Sequence, residues 1–283
     1  MFSINRDRVL LIGKILASCR KIIDELEEKD IQYVVVRKIL SILDDPVDAA
    51  IIIVGTALVS YMLSVKGEKH WNLLAEHVAR NAGERPELIL LSFVENSPSL
   101  GRFRDARLRR ARLYISRMPQ LLRLKFDEYV LDLAKLRNDL ARILDTRSDS
   151  KTIVFSIKMF YYLLKALGKS IEVPFEIPIP VDYRVCMVSL SSGVVETEGN
   201  IKLSDAVKIL RSKYPTLVRR VWSDIGYLSR IPPLRLDALL WIVGGMYDGD
   251  VNMLYGNIEE FLGRPMNVSE RRLMLELFKY RIN

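Results

Sequence analysis

The sequence predicts an all-α protein, and three observations carry that prediction. Apolar residues recur at the spacing of amphipathic helices along most of the chain. No stretch strings alternating strands together through hairpin turns. Prolines, serines and glycines fall where helices start and stop. In chain order, helices are expected over Arg6–Lys29, Pro46–Val65, Lys69–Ala82, Pro86–Val94, Arg102–Met118 and Phe126–Leu144. Further helices are expected over Lys151–Leu167, Asp182–Ser191, Ser204–Lys213, Pro215–Leu228, Leu234–Gly244, Asn257–Leu262 and Ser269–Tyr280.

Local chemistry sets the ends of these elements. Pro46 and Pro86 suit first turns, where a missing N–H costs nothing. Ser204 and Ser269 suit N-caps, and Gly168 suits a helix end. The run Ile51 to Val65 has fifteen residues, too short to span a bilayer comfortably, and is read as a buried helix. The segment Ile171 to Pro180, IEVPFEIPIP, holds three prolines and must be extended, because the residue before each proline avoids the helical region. It is a connector between two helical blocks. The domain plan is a single two-lobed unit over 1–283, with a hairpin block at about 126–168, the connector at 169–181 and C-terminal helices over 182–283.

Charge points to a polyanion. The net charge is +8, and residues 102 to 125 hold eight arginines and one lysine against a single aspartate, so that segment alone accounts for the excess. Arg109, Arg110 and Arg112 are the candidate phosphate contacts within it. The two cysteines, Cys19 and Cys186, stand far apart, which fits reduced core thiols in a reducing, intracellular compartment. No Walker loop, dinucleotide fingerprint, nucleophile elbow or metal-ligand spacing is present, so no metal and no cofactor is expected.

Chemistry concentrates around one hairpin. Leu133, Leu136, Leu140, Ile143 and Leu144 form one apolar stripe, and Ile153, Ile157, Phe160 and Leu164 form a second, with the polar Asp145 to Ser150 between them. Asp149 or Ser150 can cap the second helix, which places Lys151 in its first turn. A further stripe, Lys151, Phe155 and Lys158, points away from the core stripe and sets an aromatic between two lysines. After the connector, Asp182 opens the next helix. Taken by itself it is an N-cap.

These blocks together resemble the helix-hairpin-helix DNA glycosylases that pair a lysine with an aspartate, and more narrowly the archaeal 8-oxoguanine DNA glycosylase family called AGOG. The resemblance runs through DIQYVVVRKI, ALVSYMLS, KHWNLLAEHV, SKTIVFSIKMFYY, PIPVD and LRLDALLW, which cover most of the chain. It implies two helical lobes with the active-site cleft between them. It also implies a Schiff-base nucleophile at Lys151 and a catalytic carboxylate at Asp182. Phe155 and Trp241 would sandwich an extruded base, and Gln32, Ser60, Trp71, Lys158, Pro180 and Asp237 would line its pocket. The hairpin here, LDTRSDSK, lacks the glycines usual in the wider superfamily, and Arg147, Ser148 and Ser150 are its candidate contacts to a phosphate.

The implied activity is removal of 8-oxoguanine from DNA by an amine that also nicks the abasic strand. The partner would be DNA carrying that lesion, and the protein would act as a monomer with no membrane and no obligate protein partner. A glycosylase must extrude its base, and flat aromatic walls repay the lost stacking. Asp237, one turn before Trp241 in a helix otherwise almost wholly apolar, needs a donor such as the guanine N1–H and amine. Gln32, Trp71 and polar backbone groups are candidates for the oxidised edge. Two rivals remain open: a non-catalytic helical DNA-binding protein, for which the basic segment and hairpin would suffice, and a protein lying on anionic membrane surfaces.

Overall fold

The computed structural model describes residues 1–199 and 201–280. Two helices open the chain, α1 (Arg6–Ser18) and α2 (Lys21–Lys29). Eight follow: α3 (Ile31–Leu43), α4 (Pro46–Val59), α5 (Gly67–Arg80), α6 (Pro86–Asn96), α7 (Arg104–Ile115), α8 (Met118–Leu131), α9 (Leu133–Ile143) and α10 (Lys151–Ala166). The last six are α11 (Tyr183–Ser191), α12 (Leu203–Lys213), α13 (Pro215–Ser229), α14 (Pro233–Met246), α15 (Val251–Leu262) and α16 (Val268–Leu277). Among the described residues no helix is long and apolar enough to cross a membrane.

The all-α expectation holds, with differences that have local causes. The span expected as one helix over Arg6–Lys29 breaks at Cys19 and Arg20. Phe126–Leu144 likewise divides at Asp132, whose carboxylate accepts the Lys135 N–H at 3.0 Å and so caps α9. Helix α3 was not among the expected helices. Ser204 and Ser269 lie inside their helices, not at the caps: α16 is capped by Asn267, which forms a reciprocal capping box with Glu270. Pro46, Pro86 and Gly168 serve as expected, and Gly168 ends α10 in the left-handed region at φ 69°. One short antiparallel pair, β1 (Phe2–Ile4) and β2 (Val195–Thr197), joins distant parts of the chain.

The chain divides into two compact units. One combines Met1–Asp30 with Phe175–Asn283, and the other is the continuous stretch Ile31–Pro174. In the first, α1 packs on α13 and α16, while α2 meets α14 and α15. Buried Arg8 fastens α1 by donating to the Ser192 carbonyl at 2.8 Å and pairing with Glu276. Arg235 reaches back to Glu27 at 2.9 and 2.7 Å. In the second unit α4 is the centre: every residue from Ala49 to Val59 is buried, and α3, α6, α7, α8 and α10 surround it. The prolines of the connector prevent helix from Lys169 to Asp182, and the chain passes from one unit to the other between Pro174 and Phe175.

Candidate active site

Lys151 is the first residue of α10 and sits half-buried directly behind the hairpin. The hairpin begins with a Schellman ending of α9, in which the Thr146 N–H donates to the Ala141 carbonyl and the Asp145 N–H to that of Arg142. Asp145 occupies the left-handed position at φ 45° that glycine usually fills, a conformation aspartate tolerates better than most residues. Arg147 and Asp149 then form a two-point ion pair at 2.9 and 2.8 Å. Of the two cap candidates, Asp149 and Ser150, it is Ser150 that stands at the N-cap position, yet its hydroxyl makes no cap bond and is buried without a hydrogen-bond partner. The Ser150 side chain therefore leaves the first-turn amides of α10 uncapped by the N-cap residue itself, and the start of a helix favours an anion.

The Lys151, Phe155, Lys158 stripe differs from its expected outward course. Phe155 is buried, and Lys158 is only 1% exposed. The Phe155 ring meets Trp71 edge-to-face, with centroids 5.9 Å apart and planes at 66°. Lys158 donates to the Gln32 side-chain oxygen at 3.0 Å and lies 5.0 Å from the centroid of the Tyr162 ring. That bond turns the amide nitrogen of Gln32 away from Lys158. Gln32 and Trp71 are both buried, on α3 and α5. One helix thus brings together four of the residues singled out from the sequence: Phe155 and Lys158 directly, Trp71 and Gln32 through them.

Ser60, the C-cap of α4, is also buried and belongs to a polar chain that sequence reading missed. Its hydroxyl donates to the Thr56 carbonyl at 2.7 Å and accepts from His70 Nε2 at 2.8 Å. Ser99 lies 2.7 Å from His70 Nδ1, and Ser97 lies 2.7 Å from Ser99. Because a carbonyl can only accept, the Ser60 proton goes to Thr56, and the remaining donors run inward from Ser97 through Ser99 to a neutral His70. Burial first, and the Arg107 charge second, push the His70 pKa down to about 3. The adjacent Trp71 gave the available signal for this histidine.

That depressed value has a measurable consequence. Unfolding returns His70 to its ordinary 6.5, so between about pH 3 and 6.5 the unfolded chain binds a proton that the folded chain does not. The stability that neutral His70 contributes is complete above that window and falls as pH drops through it, by about 1.4 kcal/mol per pH unit. His77, whose pKa burial also lowers, acts with the same sign. Denaturant unfolding at pH 7 and 4.5 is expected to show wild type losing about 2 to 3 kcal/mol more than His70→Gln over that interval. Equal losses would show that His70 is charged in the fold.

The other unit holds the remaining four residues. Pro180 is buried at the end of the connector. Asp182 is half-buried at the N-cap of α11, where its Oδ1 accepts the Val185 N–H at 2.9 Å, as the sequence suggested. Asp237 is 3% exposed on α14, and Trp241 lies half-buried one turn later. Arg184, not anticipated from sequence, lies over the Trp241 ring with Cζ 4.4 Å from its centroid and donates to the Trp241 carbonyl at 2.9 Å.

The basic segment is less uniform than its composition suggested. Arg107 is fully buried and donates to the carbonyls of Val59 at 3.1 Å and Leu100 at 2.9 Å, and to those of Arg102, Tyr61 and Met62. It closes the loop that follows Ser60. Arg123 pairs with Glu87 and Asp48. Arg110 is half-buried and donates to Thr152 Oγ1 at 2.9 Å, which braces the first turn of α10. Arg109, Arg112 and Arg147 are exposed, and Ser148 is half-buried. Cys19 and Cys186 are buried free thiols, with Cys19 pushed up by burial to about 12.

Comparison with known proteins gives one answer. The family model AGOG, N-glycosylase/DNA lyase, matches residues 13–273. An N-glycosylase/DNA lyase of Methanopyrus kandleri is 33% identical over 82% of this chain and 87% of its own length. That of Pyrobaculum aerophilum is 30% identical over 91% of this chain and 88% of its own. The crystal structure of Pyrobaculum aerophilum 8-oxoguanine DNA glycosylase complexed with 8-oxoguanosine superposes with a TM-score of 0.72 at 25% identity, covering 93% of this chain and 100% of that one. With a match spanning nearly its whole length, this chain belongs to the AGOG family of N-glycosylase/DNA lyases.

Proposed function

We propose that this chain removes 8-oxoguanine from DNA through attack of the Lys151 amine at C1′, and then nicks the abasic strand by β-elimination. The observation that carries the proposal is α10 itself: Lys151 opens it behind the hairpin, while Phe155 holds Trp71 and Lys158 holds Gln32 further along.

The chemistry asks for a neutral amine, a stabiliser for a positive sugar and a grip on the extruded base. Lys151 Nζ bonds to C1′ as the glycosidic bond breaks, and the purine leaves with the electron pair. The Asp182 carboxylate stabilises the cationic sugar as it forms. Opening of the ring by transfer of a proton to its oxygen yields a Schiff base. This acidifies the C2′ proton, whose loss expels the 3′ phosphate, and water then frees the lysine. Phe155 and Trp241 are assigned to the base, each aromatic face being worth about 1 to 3 kcal/mol against an unstacking cost of a few kcal/mol. Gln32, Ser60, Trp71, Lys158, Pro180 and Asp237 are assigned to recognition of that base, with Asp237 taking the donor edge of guanine.

Arg109, Arg112 and Arg147, with Ser148 and Ser150 at the start of α10, are assigned to backbone phosphates. The chain crosses between its two units twice, so the second is an insertion into the first, which supports one functional domain and not two independent modules. It acts as a monomer inside a prokaryotic cell and needs no protein partner.

A duplex carrying 8-oxoguanine opposite cytosine, compared with the same duplex carrying guanine, tests the proposal. Wild type should release the lesion and spare guanine. Trp241→Ala should slow release by about ten- to a hundredfold, through weaker lesion binding and poorer selectivity. Binding without base release in wild type would instead favour a non-catalytic DNA-binding protein.

A further inference from the structure

Helix α14 carries Gly244 and Gly245 side by side in its last turn, although adjacent glycines inside a helix lower its propensity. The neighbouring helix α11 supplies the reason. Arg184, in the first turn after Asp182, lays its side chain across these glycines. A Cβ at 245 would stand 2.6 Å from Arg184 Cζ and 2.7 Å from Nη1, and one at 244 would stand 3.2 Å from Arg184 Cβ. Through the space they leave, the guanidinium reaches Trp241, stacking 4.4 Å from the ring centroid and donating to the carbonyl at 2.9 Å.

We propose that Arg184 is the positioning residue of the Trp241 wall: it fills one face of the indole, so that an extruded purine stacks on the other, and it ties that wall to the helix which Asp182 opens. This rests on the base-stacking role proposed for Trp241. A planar guanidinium can stack and donate at once from a fixed fork, whereas a lysine ammonium is a point charge that cannot do both in this geometry. The glycine pair is the backbone condition for that placement.

Two variants of the full chain test it, Arg184→Lys and Gly245→Ala. The first keeps the charge, and the second favours the helix while filling the guanidinium's space. The measurements are single-turnover release of 8-oxoguanine from a duplex and nicking of a preformed abasic duplex, which has no base to stack. Release should fall about tenfold in each variant, while abasic-site nicking stays within about twofold of wild type. Unchanged release would overturn the inference, and so would an equal fall in both activities, which marks a purely structural defect. A wild-type chain that releases no base would overturn the underlying function and this inference with it.

Discussion

Lys151→Gln is expected to abolish release of 8-oxoguanine and borohydride trapping of the protein on lesion-bearing DNA together. In the proposed mechanism both steps use the same nitrogen, first as nucleophile and then as Schiff base, so removing it cannot spare either. Glutamine has nearly the same length and helix propensity, and position 151 is the first of α10, where its amide needs no partner within the helix. The fold should therefore be untouched, and the rate of base release should fall on the order of a thousandfold or more. Retained trapping would assign the nucleophile elsewhere.

Asp182→Asn should produce the second-largest effect. Asp182 does two things at once in this protein: its Oδ1 accepts the Val185 N–H that begins α11, and its charge faces the reaction in the proposed mechanism. Asparagine caps a helix as well as aspartate does, whereas alanine would also lose about 1 kcal/mol of cap stability. The asparagine variant thus isolates the charge. Base release should slow by about a hundred- to a thousandfold, as expected for a lost electrostatic stabiliser, with affinity for the lesion duplex held within about twofold. A large binding defect with a normal single-turnover rate would contradict the assignment.

The elements most legible in the sequence were those whose limits are set by neighbours a few residues away. Pro46, Pro86 and Gly168 mark real ends because their backbone constraints act locally. The α9–α10 hairpin, with its two apolar stripes, is legible for the same reason. Helix α3 was not, since VVV in its first half favours strands, and its stability comes from packing against α5, α4 and α10. The β1–β2 pair closes between residues about two-thirds of the chain apart, which no local pattern can announce. Asp132 could have been recognised as a cap, which would have divided the long helix expected over Phe126–Leu144.

The site followed the same rule. Periodicity put Lys151, Phe155 and Lys158 on one stripe, but it could not reveal that Lys158 is buried against Gln32, because that contact joins α10 to α3. His70 acts through the hydroxyls of Ser60 and Ser99, Arg107 through backbone carbonyls, and Arg184 through a carbonyl and a ring on another helix, so their sequence positions carry little sign of their work. Arg107 in particular looked like one more cation in a basic run. It is a buried brace.

The most direct test of the central claim is to locate the covalent bond. Wild-type protein trapped by borohydride on an 8-oxoguanine duplex, digested and analysed by mass spectrometry, should carry the reduced sugar adduct on the peptide containing Lys151. An adduct on any other amine, such as that of Lys158 or the N-terminus, would contradict the account.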